Sequence, residues 1–321
     1  MRIHNLFIRW LPALLTALVT KLCLAQPSIP VPLMQAIPLP YDQVSFQRDG
    51  VELCRYHFGA TLRRPFIFPV NGPAGRSLTR MGHPHDPITH SHHNSIWVSH
   101  TDVDGISFWD DRGQGRIAHQ RIERFEDSAA EALLIVESAW INETNRQTLL
   151  RERRCLRVQP LPQGEWLLIM DLELVAPESN ITFGKTPFGL VGVRMAKTIG
   201  VNDGGGAIRN SEGGTNEKEI LWKHARWVDY SGPITPTATE GITLLDHPSN
   251  PNHPTGFHVR SDGWMGASLT LDGPRIVKPK EPLKLRYGFY IHTGKASLDT
   301  LNRHWEKFAQ TTAGMPGLPK K

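Results

Sequence analysis

The segment Trp166-Leu167-Leu168-Ile169-Met170-Asp171-Leu172-Glu173-Leu174 has an apolar residue at every even position, whereas Asp171 and Glu173 occupy odd positions. Successive side chains of a β-strand point to opposite faces, so this alternation predicts a strand with one face against a core. Residues 283–292 repeat the pattern near the end of the chain, with apolar side chains at Leu283, Leu285, Tyr287, Phe289 and Ile291. Both segments indicate a fold built from β-sheets.

Further short strands are predicted over residues 64–70, 117–125, 132–140, 153–159, 257–260 and 267–271. Residues 44–53 alternate about Asp49-Gly50, a dipeptide typical of tight hairpin turns, and therefore predict two paired strands. A helical period is found over residues 297–311, where Ser297 is placed to cap the helix. The apolar face of this helix would carry Leu298, Leu301, Trp305 and Phe308.

Many short strands joined by glycine and proline turns, without strand–helix alternation, predict an all-β protein rather than a parallel α/β sheet. The chain of 321 residues is too long for an ordinary immunoglobulin-size sandwich. We therefore expect a large antiparallel β-sandwich with a short C-terminal helix. A supersandwich of the galactose-mutarotase type and a two-sheet jelly roll both have the right scale.

The start of the chain predicts export. Arg2 and Arg9 precede a short apolar run, residues 11–22, that ends at Cys23-Leu24-Ala25. This order is typical of a secretory signal peptide over residues 1–25, and we expect cleavage after Ala25. An uncleaved anchor and lipidation at Cys23 are the alternatives. The signal predicts a periplasmic or extracellular protein, and no later segment has the roughly 20 apolar residues that span a membrane.

Residues 26–40 are rich in proline and lack a period, which predicts an extended leader. We expect a single β-sandwich domain over residues 41–311 and a disordered tail over residues 312–321. The chain has 36 Lys and Arg residues, three of them before residue 26, against 31 Asp and Glu residues. The mature protein is therefore nearly neutral, which does not favour nucleic acid or an anionic membrane as a partner.

Cys54 and Cys155 are the cysteines that remain after removal of the signal peptide. An oxidising compartment would allow a disulfide if their Cα atoms lay roughly 4.4–6.8 Å apart. Two small buried thiols are the alternative.

Residues 81–97 contain five of the fifteen histidines and are the strongest candidate for a functional site. If residues 89–97 run extended, His90 and His92 project from one face and His93 from the other. Imidazoles exchange protons near neutral pH, so we expect His90, His92, His93 and the later His224 to be catalytic. A catalytic zinc needs about three protein ligands, and no metal ligands are assigned from this pattern.

Two later segments, residues 223–232 and 246–254, mix imidazole, guanidinium, carboxylate and amide groups with aromatic surface, as sugar sites do. From them we expect Arg226, Asp229, His247 and Asn250 to bind substrate. The alternatives are a surface ion pair between Arg226 and Asp229 and a proline-pinned loop around Asn250. A composite site requires that the histidine segment lie in one concavity with His224, Arg226 or His247.

Other catalytic patterns are not found. The run Gly204-Gly205-Gly206 is not followed by Lys-Ser or Lys-Thr, and no Gly-x-Ser-x-Gly elbow is present. Carboxylates for acid–base catalysis are available, but their separations, which decide a glycosidase mechanism, are not defined by the sequence. These carboxylates are Asp110, Asp111, Glu212, Glu219, Asp229 and Asp246.

Several ordered motifs resemble the exported proteins called PmoA-like or "methane oxygenase". They are Asn71-Gly72-Pro73, Thr79-Arg80, the run from His90 to Trp97, Gly105-Ile106-Ser107-Phe108-Trp109 and Leu285-Arg286-Tyr287-Gly288-Phe289. The family's usual Asp-His-Pro-His-His is Thr89-His90-Ser91-His92-His93 here. True particulate methane monooxygenase subunits are membrane proteins, so oxygenase activity is not expected.

The resemblance implies a mutarotase-type β-sandwich associated with carbohydrate use, with Arg80, Asn94 and Trp109 as further substrate-binding residues. The leading hypothesis is glycoside cleavage or isomerisation by histidine-centred acid–base chemistry. A non-catalytic carbohydrate-binding module and a metal-dependent oxidoreductase or hydrolase are the alternatives. No cofactor is assigned.

Overall fold

The computed structural model describes residues 30–316. Within them, the helices are α1 (Val201–Gly204), α2 (Asn216–Ile220) and α3 (Leu298–Ala309), with short 3-10 turns at Pro162–Gly164 and Lys197–Ile199. In chain order, the strands are β1 (Met34–Leu39), β2 (Gln43–Arg48), β3 (Val51–His57), β4 (Phe66–Val70), β5 (Ile96–His100), β6 (Gly115–Asp127), β7 (Ala132–Asn142), β8 (Gln147–Pro160), β9 (Trp166–Val175), β10 (Ile181–Phe183), β11 (Gly189–Arg194), β12 (Ala207–Asn210), β13 (Lys223–Ala225), β14 (Trp227–Pro233), β15 (Thr239–Asp246), β16 (Thr255–Arg260), β17 (Trp264–Ser268), β18 (Arg275–Val277) and β19 (Leu283–Thr293).

Two large antiparallel sheets make up the fold. One has the strand order β1-β2-β3-β4-β5-β11-β17-β16-β13, the other β12-β14-β15-β19-β9-β8-β7-β6, and β10 pairs with β18 separately. The even positions of β9, including Leu168 and Leu172, share one core with Val44 and Phe46 of β2. The two sheets are therefore layers of a sandwich. The prediction of an all-β, large antiparallel β-sandwich with a short C-terminal helix is confirmed.

The local signals for the hairpin and the helix are confirmed in detail. Asp49 and Gly50 both have positive φ, 50° and 76°, as the tightest hairpin turn between β2 and β3 requires. At α3, the Ser297 hydroxyl accepts a hydrogen bond from the Thr300 backbone N–H at 3.1 Å. Leu301 and Phe308 are buried, but Leu298 is 46% exposed and does not belong to the apolar face as expected.

Several sequence boundaries are corrected. Residues 34–39, predicted as leader, form β1, which pairs with β2 at the edge of the nine-stranded sheet. An edge strand tolerates Pro38 because proline lacks a backbone N–H, and Met34 and Ala36 point into the core. The strand predicted over residues 267–271 is β17, three residues earlier.

The chain ends are covered only in part by the described residues. The predicted signal peptide, residues 1–25, lies outside them. Of the predicted tail, residues 312–316 are described, and Met315 packs against Leu133, Ile135 and Cys155. The prediction of disorder is therefore wrong for this part. No helix within residues 30–316 is long and apolar enough to cross a membrane.

The two cysteines are free and buried in different clusters. Cys54 belongs to the core between the sheets, and Cys155 packs with Leu133 and Ile135 in a separate cluster. The disulfide alternative is therefore wrong in this structure, and both residues act as small apolar side chains.

The nine-stranded sheet carries an aromatic cluster on the face turned away from the core. Trp97 of β5 and Trp264 of β17 belong to this cluster, whereas the neighbouring Val98 and Met265 belong to the core. Gly192 of β11 lies between the two tryptophans. A Cβ atom there would lie 2.3 Å from Cη2 of Trp264 and 3.2 Å from Cζ2 of Trp97. The close packing of the two rings therefore requires glycine at this position.

We expect Gly192→Ala to lower the free energy of unfolding by about 1–3 kcal/mol, the usual cost of overpacking, because the buried Trp97 and Trp264 rings would have to shift to admit the methyl group. Gly273→Ala is the matched control, since a Cβ atom there meets nothing within 4 Å. Urea denaturation of both variants gives the comparison. Equal stability of the two variants would contradict this packing.

Candidate functional site

A cavity of about 560 Å³ opens on the outer face of the nine-stranded sheet, above the aromatic cluster. One wall is the segment that precedes β5, which carries His90, His92 and His93. The opposite wall comes from β16, with His258, and from the turn that leads into Trp264. The histidine segment and three strands of one sheet therefore build the cavity together.

The histidine segment is a turn, so the extended arrangement considered from the sequence is wrong. The backbone N–H of His93 donates to the carbonyl of His90 at 3.2 Å, and β5 begins only at Ile96. The turn brings the three rings together, with centroid separations of 5.7 Å for His90–His92, 5.0 Å for His90–His93 and 4.6 Å for His92–His93. All three side chains line the same cavity instead of pointing to two faces.

Seven aromatic rings form a closed circuit around the cavity, which we call the aromatic collar. Consecutive centroids are separated by at most 5.9 Å. In order, the collar consists of His90, His92, Trp109, Phe188, His258, Trp264 and His93. A molecule in this cavity is surrounded by flat apolar surfaces and imidazole edges.

His90 is held by a carboxylate. Its Nδ1 lies 2.9 Å from Oδ2 of Asp86, which fixes the proton on Nδ1 and leaves Nε2 as a free acceptor. No partner for Nε2 is found within residues 30–316. The hydroxyl and the backbone N–H of Thr89 both donate to Asp86 and hold its pKa well below the usual range. Asp86 is therefore an ionised, oriented partner for the imidazole.

His83 has a structural role at the same wall. Its Nδ1 accepts hydrogen bonds from the backbone N–H groups of His85 and Asp86 at 3.0 and 3.1 Å. Nε2 therefore carries the proton and donates to Oδ2 of Asp262 at 2.8 Å. Arg194 donates to Oδ1 of Asp262 at 2.9 Å. Burial opposes ionisation of Asp262, but the Arg194 charge and the His83 bond hold its pKa below the usual value.

Three further imidazoles are buried without partners. His92, His93 and His258 are each only 6% exposed, and their Nδ1 atoms have no hydrogen-bond partner among the described residues. Burial lowers the pKa of His92 and of His258 to about 4. Burial, reinforced by neighbouring histidines and Arg194, lowers the pKa of His93 further. At neutral pH, all three present uncharged rings with unsatisfied polar atoms.

Trp109 also lines the cavity, as expected for a binding residue. Asn94 and Arg80 lie outside the lining. The Asn94 side chain accepts a hydrogen bond from the buried Arg64 at 2.7 Å, and the Arg80 guanidinium donates to the carbonyl of Met81 at 3.3 Å. Asn94 therefore holds the scaffold behind the histidines.

The convergence expected with the later segments is not found. His224 lies at the far edge of the sheet on β13 and lines a different cavity, where its Nδ1 is 2.7 Å from the carbonyl of Pro254. Asp229 belongs to the eight-stranded sheet and is fully buried against Arg209 and His292.

The other candidates from these segments also pack within the scaffold. The Arg226 guanidinium lies 4.8 Å from the Trp305 ring centroid and pairs with Glu212 instead of Asp229. His247 is bonded to Ser249, and Asn250 bridges Asp246 and Arg286. These residues adjoin β14 and β15, which belong to the eight-stranded sheet and not to the sheet that carries the cavity. Their predicted role in substrate binding therefore has no place in this cavity.

The sequence analysis missed seven residues of the cavity lining: Thr101, Phe188, Arg194, His258, Arg260, Asp262 and Trp264. Arg194 and Arg260 both lie opposite Trp264 in the sheet register. Only the pairing of three strands distant in sequence places them beside the histidine segment, and no local motif records that pairing. As the side chains stand, no group of three or more His, Cys, Asp or Glu residues in the described part of the chain is arranged to hold a metal ion.

The model of a family of unknown function, DUF6807, matches residues 43–306. This match gives no support to the PmoA-like label. No curated protein matches the chain.

Solved structures of similar fold include a candidate mutarotase from Salmonella typhimurium, with 10% identity over 81% of this chain and 97% of that one and a TM-score of 0.32. A candidate kojibiose phosphorylase from the human microbiome has 8% identity over 88% of this chain and 37% of that one, with a TM-score of 0.35. A 4-alpha-glucanotransferase from Thermococcus litoralis has 10% identity over 81% and 39%, with a TM-score of 0.30. At this level of similarity, neither a substrate nor a reaction transfers to this chain.

We expect acidification to destabilise the protein through the buried histidines. The folded pKa of His258, about 4, lies below the ordinary value of 6.5, so the unfolded chain binds more protons between these two pH values. This contribution to stability is complete above pH 6.5 and is lost as the pH falls toward 4, by up to about 1.4 kcal/mol per pH unit. Urea denaturation at several pH values should show a shallower loss for His258→Gln than for the wild type. Equal slopes would contradict the assignment.

Proposed function

Since the chain belongs to the family of unknown function DUF6807, its activity has to follow from its own cavity, and we propose that it is an enzyme that isomerises a carbohydrate by histidine-centred proton transfer. The observation that carries the proposal is the His90–Asp86 pair, whose free Nε2 lies at the wall of an aromatic-lined cavity. The export signal expected over residues 1–25 would place this activity in the periplasm or outside the cell.

The collar suits a sugar. Its indole, phenyl and imidazole rings offer flat surfaces for the C–H faces of a pyranose, and the imidazole edges of His92, His93 and His258 that line the cavity can bond hydroxyl groups. A volume of about 560 Å³ lies within the range of small-molecule sites, roughly 300–1,000 Å³. These three imidazoles are neutral and therefore supply no positive charge to a ligand.

The histidines of the collar have two different environments. His90 has a carboxylate partner, so a proton gained at Nε2 produces an imidazolium that Asp86 stabilises. His92 has no carboxylate partner and is kept neutral by burial, with a pKa of about 4. Titratable groups placed in contrasting environments indicate the assignment of catalytic roles. His90 is then the base, and His92 is a neutral hydrogen-bond donor.

The proposed step takes place next to a carbonyl group of the sugar. Nε2 of His90 removes a proton from the carbon beside the carbonyl, the C–H electrons form a carbon–carbon double bond, and the carbonyl oxygen gains the negative charge. The neutral His92 ring donates an N–H to that oxygen. For isomerisation, the proton of the neighbouring hydroxyl moves to the charged oxygen, and His90 returns its proton to the former carbonyl carbon, so that the carbonyl group forms at the adjacent carbon. Return of the proton to the original carbon gives the starting sugar. The two ring centroids are 5.7 Å apart, which suits action on neighbouring atoms.

Glycoside cleavage by paired carboxylates is less well supported. Within the described residues, Asp262 is the one carboxylate among those that line the cavity. Its two oxygens already accept hydrogen bonds from His83 and Arg194. A glycosidase of the usual kind needs two available carboxyl groups about 5–9.5 Å apart. Isomerisation is therefore favoured over hydrolysis.

We expect His90→Ala to lower the rate of proton exchange at carbon by about 100-fold or more, because general bases contribute 10²–10⁴-fold. The rate is measured by proton NMR as deuterium incorporation from D₂O into a panel of aldoses and ketoses. His85→Ala is the matched control, since this imidazole is bonded to Asp203 and does not line the cavity. Unchanged exchange in His90→Ala would overturn the proposal. A wild-type protein that binds a sugar but never exchanges its protons would instead be a binding module.

We expect Asp86→Asn to lower the same exchange rate by about 100-fold while sugar affinity stays within about threefold. An amide at this position presents its N–H₂ group to Nδ1 and favours the tautomer in which Nε2 carries the proton. The pH profile of the exchange rate separates this positioning role from a merely structural one. Loss of the carboxylate should move the acidic limb of that profile to lower pH. A rate and profile like those of the wild type would show that Asp86 does not act through His90.

A further inference from the structure

Phe188 differs from the other non-histidine rings of the collar because it is exposed. Its side chain is 41% exposed, whereas Trp109 and Trp264 are at most 7% exposed. Its ring centroid lies 5.9 Å from that of Trp109 and 5.2 Å from that of His258, on the wall away from His90. An exposed aromatic ring at the rim of a ligand cavity is a surface on which a further flat or ring-shaped group can stack.

The backbone of Phe188 is fixed despite the exposure of its side chain. Its carbonyl accepts hydrogen bonds from the backbone N–H of Thr101 at 3.2 Å and from the Thr101 hydroxyl at 3.4 Å. Its own N–H donates to the Thr186 hydroxyl at 3.1 Å. The ring is therefore presented from a firm support, which lowers the entropic cost of stacking a ligand on it.

Arg260 supplies polar groups beside this ring. Its side chain is 53% exposed and forms an ion pair with Glu217, with 2.8 Å between Nε and Oε1. Glu217 also accepts from the backbone N–H of Ser261 at 2.7 Å, so the carboxylate is anchored on both sides. No partner for the two terminal guanidinium nitrogens is found within residues 30–316. They remain available for hydroxyl oxygens of a ligand at the cavity rim.

We propose that Phe188, His258 and Arg260 form a distal subsite for a second sugar unit, so that the substrate is a disaccharide or a larger glycoside rather than a free monosaccharide. The inference rests on the proposed function for the chemical class of the ligand. The reacting unit, which carries the carbonyl group, lies at His90 and His92, and the second unit stacks on Phe188 with its hydroxyls at Arg260. The cavity volume of about 560 Å³ exceeds what one sugar ring needs and leaves room for a second.

The test compares binding of disaccharides with binding of their component monosaccharides. The probes are maltose, cellobiose and lactose against glucose and galactose, measured by isothermal titration calorimetry with the full chain. We expect the best disaccharide to bind at least about tenfold more tightly than its monosaccharides. Phe188→Ala should weaken that disaccharide about fivefold or more, the effect of losing one ring contact, and leave the monosaccharides within about twofold. Arg260→Met should act in the same direction.

Two matched controls remove comparable groups away from the cavity. Trp222→Ala removes another exposed aromatic side chain, and Arg112→Met removes another exposed guanidinium. Both should keep the wild-type ratio of affinities. A panel in which no disaccharide gains over its monosaccharides overturns the subsite, as does equal weakening of both classes by Phe188→Ala. Because the readout is binding, failure of deuterium exchange would count against the proposed reaction alone.

Discussion

The hydrogen bond from Nε2 of His83 to Oδ2 of Asp262 is the contact on which the site depends. Asp262 lies in the turn between β16 and β17, so this bond ties the histidine segment to strands about 180 residues later in the chain. The other nitrogen of His83 accepts two backbone N–H groups and shapes the turn that presents His90. Among residues 30–316, this is the hydrogen bond that joins the histidine segment directly to the turn between β16 and β17.

A second contact of Asp262, its ion pair with Arg194, explains how the cavity tolerates so many uncharged imidazoles. Arg194 is fully buried, and its charge is balanced at Asp262 rather than at a histidine. The neighbouring rings can therefore stay neutral, and burial keeps them so. A buried cation without this partner would carry a large desolvation cost.

Much of the fold could be predicted from the sequence because its signals are local. Alternation over β9 and β19, the Asp49-Gly50 turn and the Ser297 cap each depend on neighbours within a few residues. The strand β1 is missed because it lies in a proline-rich segment that resembles a linker, although an edge strand accepts its Pro38. His90, His92 and His93 were identified from their density alone. His258 and Trp264 could not be, because only strand pairing between segments far apart in sequence brings them to the cavity.

Because of the location of the collar, different residues serve ligand binding and the packing of the core. The collar lies on the face of the nine-stranded sheet that is turned away from the sandwich interior, while strand residues such as Val98 and Met265 fill that interior. A substitution at Phe188 or Arg260 can therefore alter ligand preference without changing the volume of the core. The outer face of this sheet can therefore acquire new ligand specificities by mutation, with little loss of stability.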